Sequence, residues 1–249
     1  MRQVFLYSDL TDTFEENSRP FVVAAGGRSA RIALCMSGAP GWERHLPRYR
    51  DPWLHLGAAE VVPLVPVGGV LPAEALAELA RCTGVFIGGG DTRVYRALYA
   101  QGEAAAIIRR RHAEGIPYAG LSAGALIAPE VATVWGDQFT TRTNTVQLRG
   151  ADDGCGAELE TGSGLGLIGG LLVEPHFSER GGFPRLVAAM ERTKVRVGVG
   201  LDDSICVEVR DGRLLHVCGR GRAYLLVQRR SAGFSLRVLE PGSEVTVSE

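Results

Sequence analysis

Short apolar runs alternate with amphipathic stretches along the first half of the chain. Buried strands are indicated by five runs rich in Val, Ile and Leu, namely "RQVFLY", "RIALCM", "EVVPLVPV", "GVFIGGG" and "IPYAGLS". Helices are favoured between them by "WERHLPRYRDPWLHLGA", "PAEALAELARC" and "VYRALYAQGEAAAIIRRRHAEG", and the last two have apolar residues at helical spacing. This alternation predicts an α/β fold in which helices cover both faces of a mostly parallel sheet.

The C-terminal part, about residues 196–249, is instead rich in strand-forming residues. Asp211-Gly212 separates two apolar segments, as in a two-residue hairpin turn, and "FSLRVLEPGSEVTV" predicts a second hairpin with a Pro-Gly turn. We expect an antiparallel edge on the same domain, so that residues 1–249 form one α/β domain. Residues 137–163, rich in Gly, Asp and Thr, predict a long loop and a candidate lid.

Composition narrows the choice of partners. The chain has 249 residues and a formal net charge of -1, which gives no electrostatic footprint for nucleic acid or an anionic membrane. The basic run at 109–112 lies on a predicted helix and is interpreted as a solvated face. The longest apolar run, "GLGLIGGLLV", is far shorter than the ~20 residues of a spanning helix. We therefore expect neither a nucleic-acid nor a membrane partner, and no sequence pattern decides for or against a homo-oligomer.

Cysteine usage bears on the compartment. The five cysteines (35, 82, 155, 206 and 218) form no C-x-x-C pair and leave one unpaired. In a chain of this length, such a set predicts reduced thiols and a cytoplasmic location.

The stretch "YAGLSAGALIAP" places Ser122 in a G-x-S-x-G pattern between a predicted strand and an apolar helix. Such a pattern is typical of a nucleophile elbow, in which small neighbours permit a strained serine at a sharp turn. The amide of Ala123, at the start of the helix, is then a candidate oxyanion donor. The alternative is a glycine-rich turn with only a packing role.

A second stretch, "VFIGGGDTRVYRAL", ends a strand with three glycines and opens a helix that Asp91 or Thr92 could cap. Glycines let backbone amides approach a ligand, and this makes Gly89 and Gly90 further oxyanion candidates. The stretch matches neither a dinucleotide fingerprint nor a P-loop. A plain strand-to-helix turn explains it equally well.

A third stretch, "LLVEPHFSERGGFPRL", places His176 directly after an apolar strand. It is the best-placed general base for Ser122, because the other histidines lie in predicted helices or in a late strand. A third residue should orient the imidazole. Four acids are candidates for that role: Asp137, Asp152, Asp202 and Asp203.

These stretches occur together in a known order. "GGGDT", "GLSAGA", "GLGLIGGLLVEPHF", "SERGGFPRL" and "VGVGLDDS" resemble the serine dipeptidase family that holds aspartyl dipeptidase (peptidase E) and cyanophycinase. The resemblance spans most of residues 22–227. It implies a fold like that of class I glutamine amidotransferases and a triad of Ser122, His176 and Asp203, with Asp202 and Asp137 as reserve acids.

The resemblance also implies a substrate. Family members cleave after an aspartyl residue and hold its carboxylate with cations after the "HF" motif, which correspond here to Arg180 and Arg185. A planar guanidinium suits a carboxylate. Together these inferences give a hypothesis: a serine dipeptidase without metal or cofactor acts on small peptides with N-terminal aspartate. Thr92 would line its substrate site, and Asp91 or another acid would meet the free amine.

Several positions depart from the family pattern. Asp203 stands where the family usually has glutamate, and Gly182 stands where cyanophycinases have a third arginine. Thr92 replaces their glutamine, and "EPHF" replaces their "DQHF". The departures at Gly182, Thr92 and "EPHF" favour the dipeptidases over hydrolysis of branched Asp-Arg peptides, which stays an alternative.

Two further alternatives are open. An ordinary α/β-hydrolase esterase would use Ser122, Asp203 and His216 in that chain order. A binding module with a dead site would keep the fold without the chemistry, because fold alone does not establish function.

Overall fold

The structure, a computed structural model, describes residues 1–136, 138–140, 145–147, 157–229 and 233–247. The described helices are α1 (Phe14–Ala24), α2 (Leu46–His55), α3 (Ala73–Arg81), α4 (Thr92–Tyr99), α5 (Gly102–Ala113), α6 (Ala123–Ile127) and α7 (Phe183–Thr193). The described strands are β1 (Gln3–Tyr7), β2 (Arg31–Cys35), β3 (Glu60–Leu64), β4 (Gly84–Ile87), β5 (Tyr118–Leu121), β6 (Val131–Trp135), β7 (Gln138–Thr140), β8 (Thr145–Gln147), β9 (Glu160–Ser163), β10 (Leu171–Pro175), β11 (Val197–Leu201), β12 (Ile205–Arg210), β13 (Leu214–Gly219), β14 (Ala223–Gln228), β15 (Phe234–Leu239) and β16 (Glu244–Thr246).

The largest sheet confirms the predicted fold class. Its strand order is β16-β13-β12-β1-β5-β4-β2-β3. The five strands from β1 to β3 in this order run parallel, and β12, β13 and β16 add an antiparallel edge. Alternate side chains of each parallel strand enter separate cores on the two faces.

Each face of the sheet has its own hydrophobic core. On one face, Val4, Leu6 and Ile87 pack with the apolar sides of α3, α4, α5 and α6. On the other face, Phe5 and Phe86 pack with aromatic side chains of α1 and α2. The helices therefore cover both faces, as the alternating pattern predicts.

The C-terminal strands are divided between two sheets, which the sequence pattern did not predict. A second sheet has the order β10-β11-β14-β15, with β10 and β11 parallel. Asp211 and Gly212 do lie in the turn that joins β12 to β13, both at positive φ (47° and 75°), but the connection comprises residues 211–213 and is not a two-residue loop, because Arg210 pairs with Leu214. The second predicted hairpin is wrong, because β15 pairs with β14 whereas β16 pairs with β13.

Several helical predictions also need correction. The stretch predicted as one helix from 94 to 115 is two helices, α4 and α5, because Gln101 is extended and Gly102 has a φ of +61°. The segment 42–58 begins as a 3₁₀ turn before α2. Helices α1 and α7 were not predicted, although α7 buries Leu186, Ala189 and Met190 at helical spacing.

The segment 137–163 includes β7, β8 and β9 among its described residues, so it is not the structureless loop that was expected. Strand β9 pairs with β6, and β7 pairs with β8. Asp137, Asp152 and Cys155 lie outside the described residues, and so does most of the candidate lid. The four described cysteines are unpaired thiols. No helix in the described ranges is both long and apolar enough to cross a membrane.

Candidate active site

The predicted functional residues meet at the carboxyl ends of parallel strands. Ser122 follows β5, and the three glycines at 88–90 follow β4 in the large sheet. His176 follows β10 and Asp203 comes shortly after β11, which are the two parallel strands of the second sheet. Carboxyl ends of parallel strands are the usual place for binding crevices in α/β folds.

The turn at Ser122 explains why its neighbours are small. Ser122 has a φ of 50° and a ψ of -104°, a sparsely populated conformation for a residue with a side chain. A Cβ on Gly120 would lie 2.3 Å from the carbonyl oxygen of Gly124, and a Cβ on Gly124 would lie 2.3 Å from that of Ile87. Helix α6 can therefore approach the sheet this closely only if both positions are glycine.

Ser122, His176 and Asp203 form a continuous hydrogen-bonded chain. The Oγ of Ser122 lies 3.1 Å from Nε2 of His176. The Nδ1 of His176 lies 2.8 Å from Oδ1 of Asp203. The imidazole is 9% exposed and the Asp203 side chain 25%, and Ser122 is partly exposed, so the imidazole is the most buried of the three groups.

Burial raises the pKa of Asp203, but hydrogen bonds from His176 and Ser8 outweigh it and hold the pKa below the ordinary aspartate value. The carboxylate is therefore ionised at neutral pH. The one-methylene difference from glutamate does not prevent contact with the imidazole.

Ser8 is a member of this site that the sequence reasoning missed. It is fully buried at the end of β1, and its hydroxyl donates to Oδ1 of Asp203 at 2.7 Å. The hydroxyl oxygen of Ser8 also accepts the backbone N–H of His176 at 2.6 Å. Ser8 thus links the backbone of His176, directly after β10, to the carboxylate that contacts its imidazole. The signal available in the sequence is "YSDL", a polar pair directly after an apolar strand.

The competing triad members contact other groups. Oδ1 of Asp202 accepts the N–H of Ser178 at 3.1 Å, and its Oδ2 accepts the hydroxyl of Tyr224 at 3.1 Å. His216 lies within β13, with Nδ1 at 3.7 Å from a carboxylate oxygen of Glu208. The geometry therefore favours Asp203 over Asp202, and His176 over the histidine of the esterase alternative.

The candidate oxyanion donors are not equivalent. Gly89 packs against Ser122, since a Cβ there would lie 3.2 Å from the serine Cβ. Its amide faces the hydroxyl of Tyr49, whose pKa is raised by burial and lowered in part by this contact. The amides of Gly90 and Ala123 donate to no acceptor among the described residues.

Arg180 and Arg185 line the same cavity but differ in their partners. Arg185 donates from Nη1 to Oε1 of Glu174 at 2.5 Å and from Nε to the carbonyl of Gly136 at 2.9 Å. Burial raises the pKa of Glu174, and the Arg185 guanidinium opposes that rise. Arg180 is exposed, and its guanidinium forms no hydrogen bond or ion pair with a described residue. Of these two arginines, Arg180 is therefore the one available to a ligand.

Asp91 and Thr92 also line the cavity. Asp91 caps α4 by accepting the N–H of Arg93 at 2.9 Å, and its other oxygen pairs with the Arg93 guanidinium at 2.8 Å. Its carboxylate is thus already satisfied, which argues against the expected role of Asp91 in meeting a substrate amine. Thr92 is buried at the first turn of α4.

The cavity itself has a volume of about 840 Å³ and opens over Ser122 and His176. This is within the ~300–1,000 Å³ range of small-molecule sites. Aromatic side chains of Trp42, Tyr49 and Trp135 line it together with polar residues. It has room for a small peptide next to the serine.

Comparisons with known proteins agree with the resemblance in the sequence. The model of peptidase family S51 matches residues 68–217. The cyanophycinase of Synechococcus elongatus is 30% identical over 213 residues, covering 84% of this chain and 62% of that protein. The cyanophycinase of Trichormus variabilis is 31% identical over 151 residues, covering 60% and 46%. The chain therefore spans less than two thirds of the length of these curated relatives.

Solved structures confirm the fold. A peptidase from an acI-B1 Actinobacterium superposes with a TM-score of 0.69 at 14% identity, covering 99% of this chain and 97% of that one. A putative peptidase E protein from Listeria monocytogenes EGD-e gives 0.55 at 16% identity, covering 89% and 100%. At such identities the likeness concerns the arrangement of helices and strands.

Proposed function

Because the chain belongs to peptidase family S51, we propose that it is a serine peptidase and that it hydrolyses small peptides with an N-terminal aspartate. The observation that carries this proposal is the chain of contacts from Ser122 Oγ through the His176 imidazole to the Asp203 carboxylate. An activated serine of this kind needs a base within hydrogen-bond reach and a third group that holds the base in place. No metal or cofactor is part of the proposal.

The reaction follows from the positions of these groups. Nε2 of His176 takes the hydroxyl proton as Ser122 Oγ bonds to the scissile carbonyl carbon. The amides of Gly90 and Ala123 stabilise the resulting oxyanion. Gly89, which has no side chain, lets the backbone of this turn lie close to Ser122. The imidazolium then gives its proton to the leaving amine, and water hydrolyses the acyl-serine by the same route. Asp203 stabilises the imidazolium throughout.

Selectivity for aspartate rests on Arg180. Arg180 lines the cavity, and its charge opposes the rise that burial causes in the pKa of Glu174 and adds to the lowering of the pKa of Asp203. A carboxylate on the first residue of the substrate would supply the partner that Arg180 lacks among the described residues. Arg185 instead neutralises Glu174 and supports the cavity wall.

A second candidate is hydrolysis of β-Asp-Arg dipeptides. The names of the curated relatives and the size of the cavity favour it. Against it, Gly182 stands where cyanophycinases carry a further arginine, and a Cβ there would lie 2.9 Å from Cγ of Glu174.

The test is hydrolysis of Asp-Leu against Ala-Leu, Glu-Leu and β-Asp-Arg, with Ser122→Ala as control. We expect Ser122-dependent cleavage of Asp-Leu in preference to the others. Preference for β-Asp-Arg would support the second candidate. A fluorophosphonate probe that labels the wild-type protein but not Ser122→Ala would exclude a dead site, and failure to label would favour the binding module.

A further inference from the structure

Asp9, the second member of the polar pair that follows β1, lines the cavity beside Ser122 and His176. It comes directly after Ser8 in the sequence. One of its carboxylate oxygens lies within 4.8 Å of a ring nitrogen of His176 and of a carboxylate oxygen of Asp203. It is exposed to the cavity, whereas Ser8 is fully buried.

The bonding of Asp9 leaves one oxygen for a ligand. Its Oδ1 accepts the N–H of Leu10 at 2.7 Å, which fixes the side chain within its own loop. Its Oδ2 has no hydrogen-bond or ion-pair partner among the described residues. Both ring nitrogens of His176 are already hydrogen-bonded, Nδ1 to Asp203 and Nε2 to Ser122, so neither is available to bind a metal ion together with Asp9.

A peptide with a free N-terminus brings a positive charge to this place. Standard geometry separates the α-amino nitrogen from the adjacent carbonyl carbon by only about 2.5 Å. When Ser122 attacks that carbonyl, the ammonium must therefore lie close to the catalytic imidazole. Asp91, the acid expected to meet it, is already satisfied by Arg93 and the α4 cap.

We propose that Asp9 binds the free α-ammonium group of the residue whose carbonyl Ser122 attacks. This inference rests on the proposed function and deepens it. Asp9 and Arg180 then place one negative and one positive charge around the scissile bond. An N-terminal aspartate carries the complementary pair, an ammonium and a carboxylate on adjacent carbons, so the site selects both the end of the peptide and its first side chain.

The experiment tests the α-amine and the side-chain carboxylate of the substrate's first residue separately. Asp-Leu is compared with succinyl-leucine, which keeps the carboxylate and the scissile amide but lacks the amine. Ala-Leu is compared with propanoyl-leucine in the same way. The variant is Asp9→Asn, which keeps an oxygen for the Leu10 amide. The matched control is Asp12→Asn, an exposed acid paired with Arg220 outside the cavity.

We expect Asp9→Asn to lower kcat/KM for Asp-Leu on the order of 10- to 100-fold, as for loss of one hydrogen bond to a charged group. Cleavage of succinyl-leucine, slower in the wild type, should be unchanged in the variant. Asp9→Glu, which retains the charge, should recover part of the loss. Asp12→Asn should match the wild type on all four substrates.

The outcomes distinguish the two proposals. If Asp9→Asn lowers kcat/KM equally for Asp-Leu and succinyl-leucine and also shifts the pH profile, Asp9 acts through His176. That result would overturn the inference, while the peptidase function would stand. An Asp9-dependent preference for amines combined with equal cleavage of Ala-Leu and Asp-Leu would support the inference and overturn the aspartyl selectivity. Absence of Ser122-dependent cleavage of all four would overturn both.

Discussion

Removing the Ser8 hydroxyl tests whether the triad depends on the link between three strand ends. Ser8→Ala deletes the donor to Asp203 Oδ1 and the acceptor of the His176 N–H. Because Ser8 is fully buried, water cannot replace either bond without rearrangement. The histidine amide is left unsatisfied, and the carboxylate loses a charge-assisted bond.

The expected fall in the free energy of unfolding follows from the loss of these two hydrogen bonds. Each is worth about 1–3 kcal/mol, and partial relaxation reduces their sum, so we expect the free energy of unfolding to fall by about 2–4 kcal/mol. His176 also has a strained φ of 53°, which the Ser8 bond to its amide helps to hold. A misoriented imidazole then costs about 10- to 100-fold in kcat, equivalent to about 1.4–2.7 kcal/mol.

The assay pairs urea unfolding with kcat on the best substrate found for the wild type. Ser18→Ala is the matched control, because Ser18 is equally buried and its hydroxyl donates to the carbonyl of Phe14 within α1, away from the site. We expect it to lower stability and leave kcat unchanged. The reasoning is refuted if Ser8→Ala loses stability but keeps kcat within about twofold of the wild type, since Ser8 would then only support the fold.

Two further predictions concern the elbow and the acid. Gly124→Ala should lower the free energy of unfolding by about 1–3 kcal/mol or more and slow fluorophosphonate labelling, because its Cβ would overlap the Ile87 carbonyl. Gly169→Ala, where a Cβ meets nothing closer than 3.9 Å, should change neither, and equal behaviour of the two variants would contradict the steric argument. Asp203 has a lowered pKa in the folded protein, so its ionised form stabilises the fold above about pH 4 and this contribution is lost as the pH falls further. The stability gap between wild type and Asp203→Asn should therefore close in acid unfolding titrations, and a gap that is independent of pH would contradict the assigned contacts.

Local chemistry accounts for much of what the sequence predicted correctly. The alternation of apolar strands and helices set the α/β class, because each pattern has a distinct period. The Asp-Gly hairpin and the glycines around Ser122 follow from backbone conformations that few residues adopt. Ser122 and His176 stand out for the same reason: each is a reactive side chain directly after a buried strand.

Other features depended on contacts between residues far apart in sequence. Whether β15 pairs with β14 or with β16 is a choice between partners that the apolar pattern leaves open. Arg180 and Arg185 look alike in the sequence, and only the buried carboxylate of Glu174 distinguishes the one that is already paired.

The sequence by itself determined the fold class and singled out Ser122 and His176 as the candidate nucleophile and base, because strand periodicity and turn conformation are properties of neighbouring residues. The family resemblance already implied Asp203 with Asp202 in reserve, but only the tertiary structure showed that Asp203, and not Asp202, contacts the imidazole, and only it brought Ser8 and Asp9 into the site. Those selections depend on hydrogen bonds of about 3 Å between the ends of β1, β10 and β11. Such distances are set by how two sheets pack, and side chains 168 and 195 residues apart along the chain carry no local signal of that packing.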